Sequence, residues 1–169
     1  LGAIVNAAAI LVKAIGPAAA ADQLQAISVI NEEVWRANRI IVDLIDFARI
    51  RPAEPRPVLL QRIVSSVLAS KPLTPSIALS VEVPAGLTVW VDRDQVEGAI
   101  GNLVTNAIEA MPDGGKLNLT AQLAPGGDAA TIAISDTGPG IVAEVWEHLF
   151  EPLVTTKPVG LGLGLTTAR

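Results

Sequence analysis

Asn102-Leu103-Val104-Thr105-Asn106, Asp136-Thr137-Gly138-Pro139-Gly140-Ile141 and Gly160-Leu161-Gly162-Leu163-Gly164 are the three segments that decide how this chain folds. Around the first, Val96, Ile100, Leu103, Val104, Ala107, Ile108 and Met111 recur at three- and four-residue intervals, the period of one helix face. Asp92 or Asp94 stands where that helix needs an N-cap, and Met111-Pro112-Asp113-Gly114-Gly115 turns the chain out of it. The second segment closes a predicted hairpin. Leu117, Leu119, Ala121 and Leu123 alternate, Pro125-Gly126-Gly127-Asp128 turns, and Ile132 and Ile134 return, which delivers Asp136 at a strand end. The third segment runs into Leu165-Thr166-Thr167-Ala168, which reads as a first helical turn.

Outward toward the N-terminus, Ile77, Leu79, Val81 and Val83 alternate, Pro84-Ala85-Gly86 turns, and Leu87, Val89 and Val91 alternate again. This predicts another hairpin with one buried face. A short helix is expected over Leu60 to Ala69. Before it, Arg51-Pro52-Ala53-Glu54-Pro55-Arg56-Pro57 cannot continue a helix and marks a linker between domains at 1–50 and 58–169. Residues 1–15 read as an alanine-rich helix ended by Gly16-Pro17, and a longer helix follows from about Ala20 to Arg49. Its apolar positions Ile27, Ile30, Val34, Ala37, Ile41, Leu44 and Ala48 are widened by Val29, Ile40, Ile45 and Phe47. So broad a stripe fits either a helical hairpin that pairs with a second copy in a four-helix bundle, or a helix covering a sheet. The bundle is favoured, because nothing sheet-like lies before residue 57.

The 169 residues are 50% hydrophobic and 17% charged, enough to bury a real core. A formal net charge of −5 argues against a generalised nucleic-acid surface, so any phosphate must be held locally by backbone and a few side chains. Cysteine is absent, which removes disulfides and thiolate metal sites. Apolar runs such as Ala7 to Val12 fall short of a membrane span, and the opening residues, an apolar run with no basic region before it, do not resemble a signal peptide.

Each of the three segments has a bland meaning and a chemical one. Asn102 and Asn106, four apart, project from one side of a helix. They are either solvated polar residues or amide oxygens able to join phosphates and water around a hard cation such as Mg²⁺. Asp136 either belongs to an ordinary turn or accepts a hydrogen bond from the exocyclic amine of adenine, with Gly138 and Gly140 letting the backbone approach the base. The glycines at 160, 162 and 164 form either a flexible loop or an anion site at a helix N-terminus. A Rossmann reading is poor, because no βαβ unit precedes them and no second strand follows, and a Walker loop is excluded by the lack of Gly-Lys-Ser/Thr.

In this order and spacing the segments resemble the Bergerat ATP-binding domain of the GHKL superfamily, and within it the catalytic domain of bacterial sensor histidine kinases. Asn102 to Met111 is similar to the N box, Asp136 to Ile141 to the G1 box, Leu149-Phe150-Glu151-Pro152 to the F box, and Gly160 to Gly164 to the G2 box. Thr155-Thr156-Lys157 resembles the lid segment beside the phosphates, and residues 20–50 resemble the second helix of the dimerisation and phosphotransfer hairpin. The resemblance implies an α+β chain: a helical hairpin forming a dimeric four-helix bundle, then an α/β-sandwich ATP-binding domain. It also implies Mg²⁺ and ATP as cofactors, with Asn106 on the metal. The nucleotide would be held by Asn102, Asn106, Asp136, Gly138, Gly140, Ile141, Phe150, Thr155, Thr156, Lys157, Gly160, Leu161, Gly162, Leu163, Gly164, Leu165 and Thr166. The activity implied is transfer of the γ-phosphoryl to a histidine and then to a response-regulator aspartate. The implied partners are a second copy of the chain and a receiver domain, with no nucleic acid and no direct membrane contact. A cytoplasmic location is expected, whether or not a longer parent protein is anchored.

The family's phospho-accepting histidine precedes a segment like Leu1-Gly2-Ala3-Ile4, so this sequence is expected to be cut just after it, and cut again before the last strands of the domain. The only histidine, His148, lies in the lid and is not expected to take that role. Glu109 stands where many relatives carry a base, which would leave Lys157 as the positive contact. Two rivals remain: a GHKL ATPase that hydrolyses ATP, and a nucleotide-binding dimeric scaffold without transfer. Hydrolysing members place a glutamate where Asn102 stands, and a neutral amide cannot take a proton from water.

Overall fold

A computed structural model describes residues 2–15, 21–48, 52–71, 73–155 and 162–168. Two helices come first: α1 spans Gly2–Ile15 and α2 spans Ala21–Ala48, and they pack against each other with Ala8, Ile27 and Val34 buried. Much of the apolar stripe of α2 stays open, including Val29, Ile30, Ile41, Leu44 and Ile45, and Trp35 is 64% exposed. Among the described residues no helix is long and apolar enough to cross a membrane.

The remainder is a sheet covered by two helices. β1 (Arg56–Leu59) leads directly into α3 (Leu60–Ser70), and β2 (Ile77–Glu82) and β3 (Thr88–Val91) precede α4 (Arg93–Glu109). β4 (Gly115–Leu123) and β5 (Ala130–Asp136) follow, then the short helices α5 (Ala143–Trp146) and α6 (Gly164–Thr167). β4 is central in a three-stranded mixed sheet: it runs parallel to β2, with Leu79 opposite Leu117, and antiparallel to β5, with Leu119 opposite Ile134. The alternation of β4 works as expected. Leu117, Leu119 and Ala121 turn inward while Asn118 and Thr120 face out.

The hairpin expected between residues 77 and 91 does not form. β2 pairs with β4, and β3 pairs instead with β1, placing Arg56 opposite Val91 and Leu59 opposite Thr88. The chain turns at 84–86 as expected, but carries β3 away into a separate two-stranded ribbon. Part of the expected linker is therefore strand. Pro57 lacks an N–H, and a two-stranded ribbon offers an edge position that does not need one. Leu79 and Val81, expected on a buried face, are exposed, whereas Ile77 is buried.

The core lies between the helices and the mixed sheet. Ile63, Val64 and Val67 of α3 meet Ile100, Val104 and Ala107 of α4 over Leu117 and Leu119, with Met111 closing one end. Leu103, expected in the α4 stripe, is 37% exposed and faces a cleft beside the core. One face of α4 is thus locked into the core, and the next turns toward the site.

Candidate functional site

The helix that carries the two asparagines starts where Asp92 lets it start. The Gln95 N–H donates to Asp92 Oδ1 at 3.1 Å, which satisfies one of the amides that a helix N-terminus leaves unpaired. Ten residues on, the Asn102 side chain does something the sequence did not suggest. Its Nδ2 donates to the carbonyl of Gly164 at 3.0 Å, tying α4 to the glycine segment 62 positions away. Asn102 is therefore a strap between two walls of the site as well as a polar lining residue. Asn106, one turn further, lines the same cleft.

β5 delivers Asp136 to the opposite wall. Its Oδ1 accepts the Gly138 N–H at 2.8 Å, closing a tight side-chain turn at the strand end. A Cβ at Gly138 would stand 2.8 Å from the Ala110 Cβ and 3.0 Å from the Ala110 oxygen, so this turn rests on the end of α4 and admits only glycine without displacement. Thr137 anchors it from the other side. Its Oγ1 accepts the Lys116 N–H at 3.0 Å and points its hydroxyl at Met111 Sδ, 3.6 Å away. Thr137 was missed in the sequence because a threonine inside a glycine-rich turn carries no periodic signal.

The glycine segment is held as closely. Gly162 has φ of +68°, and a Cβ there would collide with the Val154 carbonyl, so both its conformation and its neighbour require glycine. Leu163 is buried next to it. The short helix α6 follows, over Gly164–Thr167.

These walls enclose a cleft of about 670 Å³, within the usual range for a small-molecule site. It brings together Asn102, Asn106, Asp136, Gly140, Ile141, Thr155, Gly162, Leu163, Gly164 and Leu165 of the expected residues. Gly138, Phe150 and Thr166 do not line it. Gly138 supports the turn beneath, Phe150 is exposed, and the Thr166 hydroxyl is buried in α6. Thr156, Lys157, Gly160 and Leu161 lie outside the described residues. The lining also includes Glu109, at the position where many relatives carry a base, and Thr105, Ile132, Ile134, Val145 and Val154, none of which had been expected there. Ile132 and Ile134 had been placed on a strand, but only the pairing of β5 puts them at the cleft wall.

The cleft suits a flat, partly polar ligand. Its apolar floor would bury an aromatic base, Asp136 offers an acceptor, and the buried Thr105 Oγ1 has no hydrogen-bond partner among the described residues. No cluster of three or more acidic or histidine side chains able to hold a metal occurs among them. A cation here would complete its shell with oxygens of the bound ligand and water beside Asn106, as Mg²⁺ on a polyphosphate does. His148 is exposed, its Nδ1 2.8 Å from Glu151 Oε1, and does not line the cleft.

A sheet covered by helices, with an asparagine helix, an Asp-x-Gly-x-Gly turn and a glycine segment around one cleft, defines a class. Residues 91–169 match the family described as histidine kinase-, DNA gyrase B- and HSP90-like ATPase. Residues 91–169 carry that family's domain, and the chain over most of its length is similar to sensor histidine kinases. It is 32% identical over 154 residues to sensor kinase CckA of Brucella abortus, covering 80% of this chain and 16% of that protein. Among solved structures, full-length ShkA in complex with AMPPNP superposes with a TM-score of 0.69 at 23% identity, over 90% of this chain and 34% of that one. Histidine kinase ThkA in complex with the response regulator protein TrrA gives 0.67 at 25% identity, over 95% of this chain and 48% of that one. The chain spans between 16% and 24% of the length of three curated relatives it matches.

Proposed function

We propose that this chain is the ATP-binding part of a protein-histidine kinase, composed of a helical pair over 1–50, a connecting segment over 51–57 and a nucleotide domain over 58–169. Mg²⁺-ATP binds in the cleft. A histidine nitrogen attacks the γ-phosphorus as its bond to the β-bridging oxygen breaks, so that phosphohistidine and ADP form together. A response-regulator aspartate then takes the phosphoryl group. The observation that carries this reading is that three separated segments are fastened around one cleft, by the Asn102–Gly164 bond at one end and the Gly138–Ala110 packing at the other.

Each residue's work is positioning and electrostatics. Asp136 accepts from the adenine amine, Gly162 and Gly164 let backbone approach the phosphates, and Asn106 offers an oxygen to the cation. The cation, when bound, neutralises charge on the phosphate oxygens. From the sequence, Lys157 supplies a positive contact. Asn102 favours transfer over hydrolysis: its amide donates to Gly164 and cannot act as a base for water.

The open stripe of α2 supports a homodimer through the helical pair, and the ThkA complex supports a receiver domain as the next acceptor. A cytoplasmic setting follows from that chemistry, since ATP and receiver domains are found there. Incubation with γ-labelled ATP and a separate hairpin carrying the acceptor histidine tests the reading. Label should appear on the hairpin; hydrolysis without labelling would favour an ATPase, and tight nucleotide binding with neither would favour a scaffold.

A further inference from the structure

Asp92 caps α4 with one carboxylate oxygen and does something separate with the other. The backbone N–H of Glu54, 38 residues earlier, donates to Asp92 Oδ2 at 2.9 Å. Glu54 lies in the stretch that leads from the helical pair to β1. Asp92 as a residue is only 9% exposed, more deeply buried than any other polar or charged residue among those described. Two backbone donors and the positive end of a 17-residue helix converge on it, a setting in which a charge-assisted bond is stronger than a neutral one. The ladder between β1 and β3 holds the same region from the other side, with Arg56 paired to Val91 immediately before Asp92.

We infer that Asp92 is a positioning residue that couples the connecting segment to the nucleotide site through α4. The same rigid helix holds Asp92 at its start and, ten and fourteen residues on, Asn102 and Asn106 in the cleft. A ligand that draws on Asn106 and the Asn102–Gly164 strap acts on α4, and Asp92 passes any change in its placement to Glu54. The reverse also holds: a pull on the connecting segment acts at the helix N-terminus and alters nucleotide affinity, because coupling between two sites is reciprocal. This rests on the proposed nucleotide site.

The two carboxylate oxygens make the inference separable by substitution. In Asp92→Asn the amide oxygen can still cap Gln95, since asparagine is as good an N-cap as aspartate, but the amide nitrogen cannot accept from Glu54. In Asp92→Ala both bonds go. The test is amide hydrogen exchange on this chain with and without a non-hydrolysable ATP analogue and Mg²⁺. In the wild type the Glu54 amide is protected, and nucleotide slows its exchange at least threefold. In Asp92→Asn, Glu54 exchanges about tenfold faster and no longer responds to nucleotide, the Gln95 amide stays within twofold of the wild type, and the affinity for the analogue falls only by the factor, about threefold, with which nucleotide had slowed Glu54 in the wild type. Asp92→Ala loses protection at both amides. If nucleotide binds the wild type and Glu54 does not respond, the coupling is wrong and the nucleotide site stands. If Asp92→Asn leaves Glu54 protected, or weakens nucleotide binding as much as Asp92→Ala does, Asp92 is a cap and nothing more. If the wild type binds no nucleotide, the proposed site falls and the coupling with it.

Discussion

α2 and α4 obey the same sequence rule and meet different fates. Both place apolar residues at three- and four-residue intervals, yet Val104 at the centre of α4 is fully buried, while Ile30, Ile41 and Leu44 of α2 are each nearly half exposed. The difference lies in what each helix is given to cover. α4 has α3 and the face of β4 beneath it; α2 has α1, a short alanine-rich helix that masks only part of a wide stripe, and a smaller contact with α6. Hydrophobic period tells which side of a helix is apolar, and partners distant in sequence, or in another molecule, decide whether that side is satisfied. Exposed apolar area on this scale marks an interaction surface.

Substitutions in the two regions should therefore be read out in different ways. The largest effect is expected in the nucleotide domain: Leu117→Ala removes a side chain that is fully buried beneath both helices and should cost about 2–5 kcal/mol in chemical denaturation. Ile30→Asp combined with Leu44→Asp should leave that unfolding transition in place but abolish self-association in sedimentation, because unpaired charge would be buried in the bundle. A dimer that survives both would mean that something other than a second copy covers α2. Gly162→Ala forces a left-handed backbone on a residue with a Cβ pressed against Val154, and should weaken ATP binding about tenfold in titration calorimetry. The smallest change is expected from Glu109→Gln, which removes a negative charge from the cleft wall and should raise ATP affinity roughly two- to fivefold, less at high salt.

The same contrast explains which parts of the fold could be read in advance. α3, α4 and the β4–β5 hairpin rest on local periodicity and turn residues, and they appear within a residue or two of their expected limits. β2 and β3 carried an equally good local signal, alternation on both sides of Pro84-Ala85-Gly86, and the inference of a hairpin was wrong. Strand pairing is a long-range choice: β2 finds β4 more than thirty residues away, and β3 finds a proline-containing strand whose composition reads as linker. The site divides in the same way. Residue types and order suggested the cleft, whereas the roles of Thr137, Asp92 and the Asn102 amide depend on hydrogen bonds to backbone atoms remote in sequence.

Gly162 and Val154 meet backbone to backbone with seven positions of sequence between them, and leave no room for a Cβ at 162. A loop whose ends are clasped has already met most of the entropy of its closure, and further length adds little: each doubling costs only about 0.6 kcal/mol. A change of length between the clasped positions is therefore a small thermodynamic change in itself, whatever it does to the ligand contacts of Thr155 and Lys157. The clasp itself has no such freedom. A side chain at 162 should therefore be the least tolerated change in this part of the molecule.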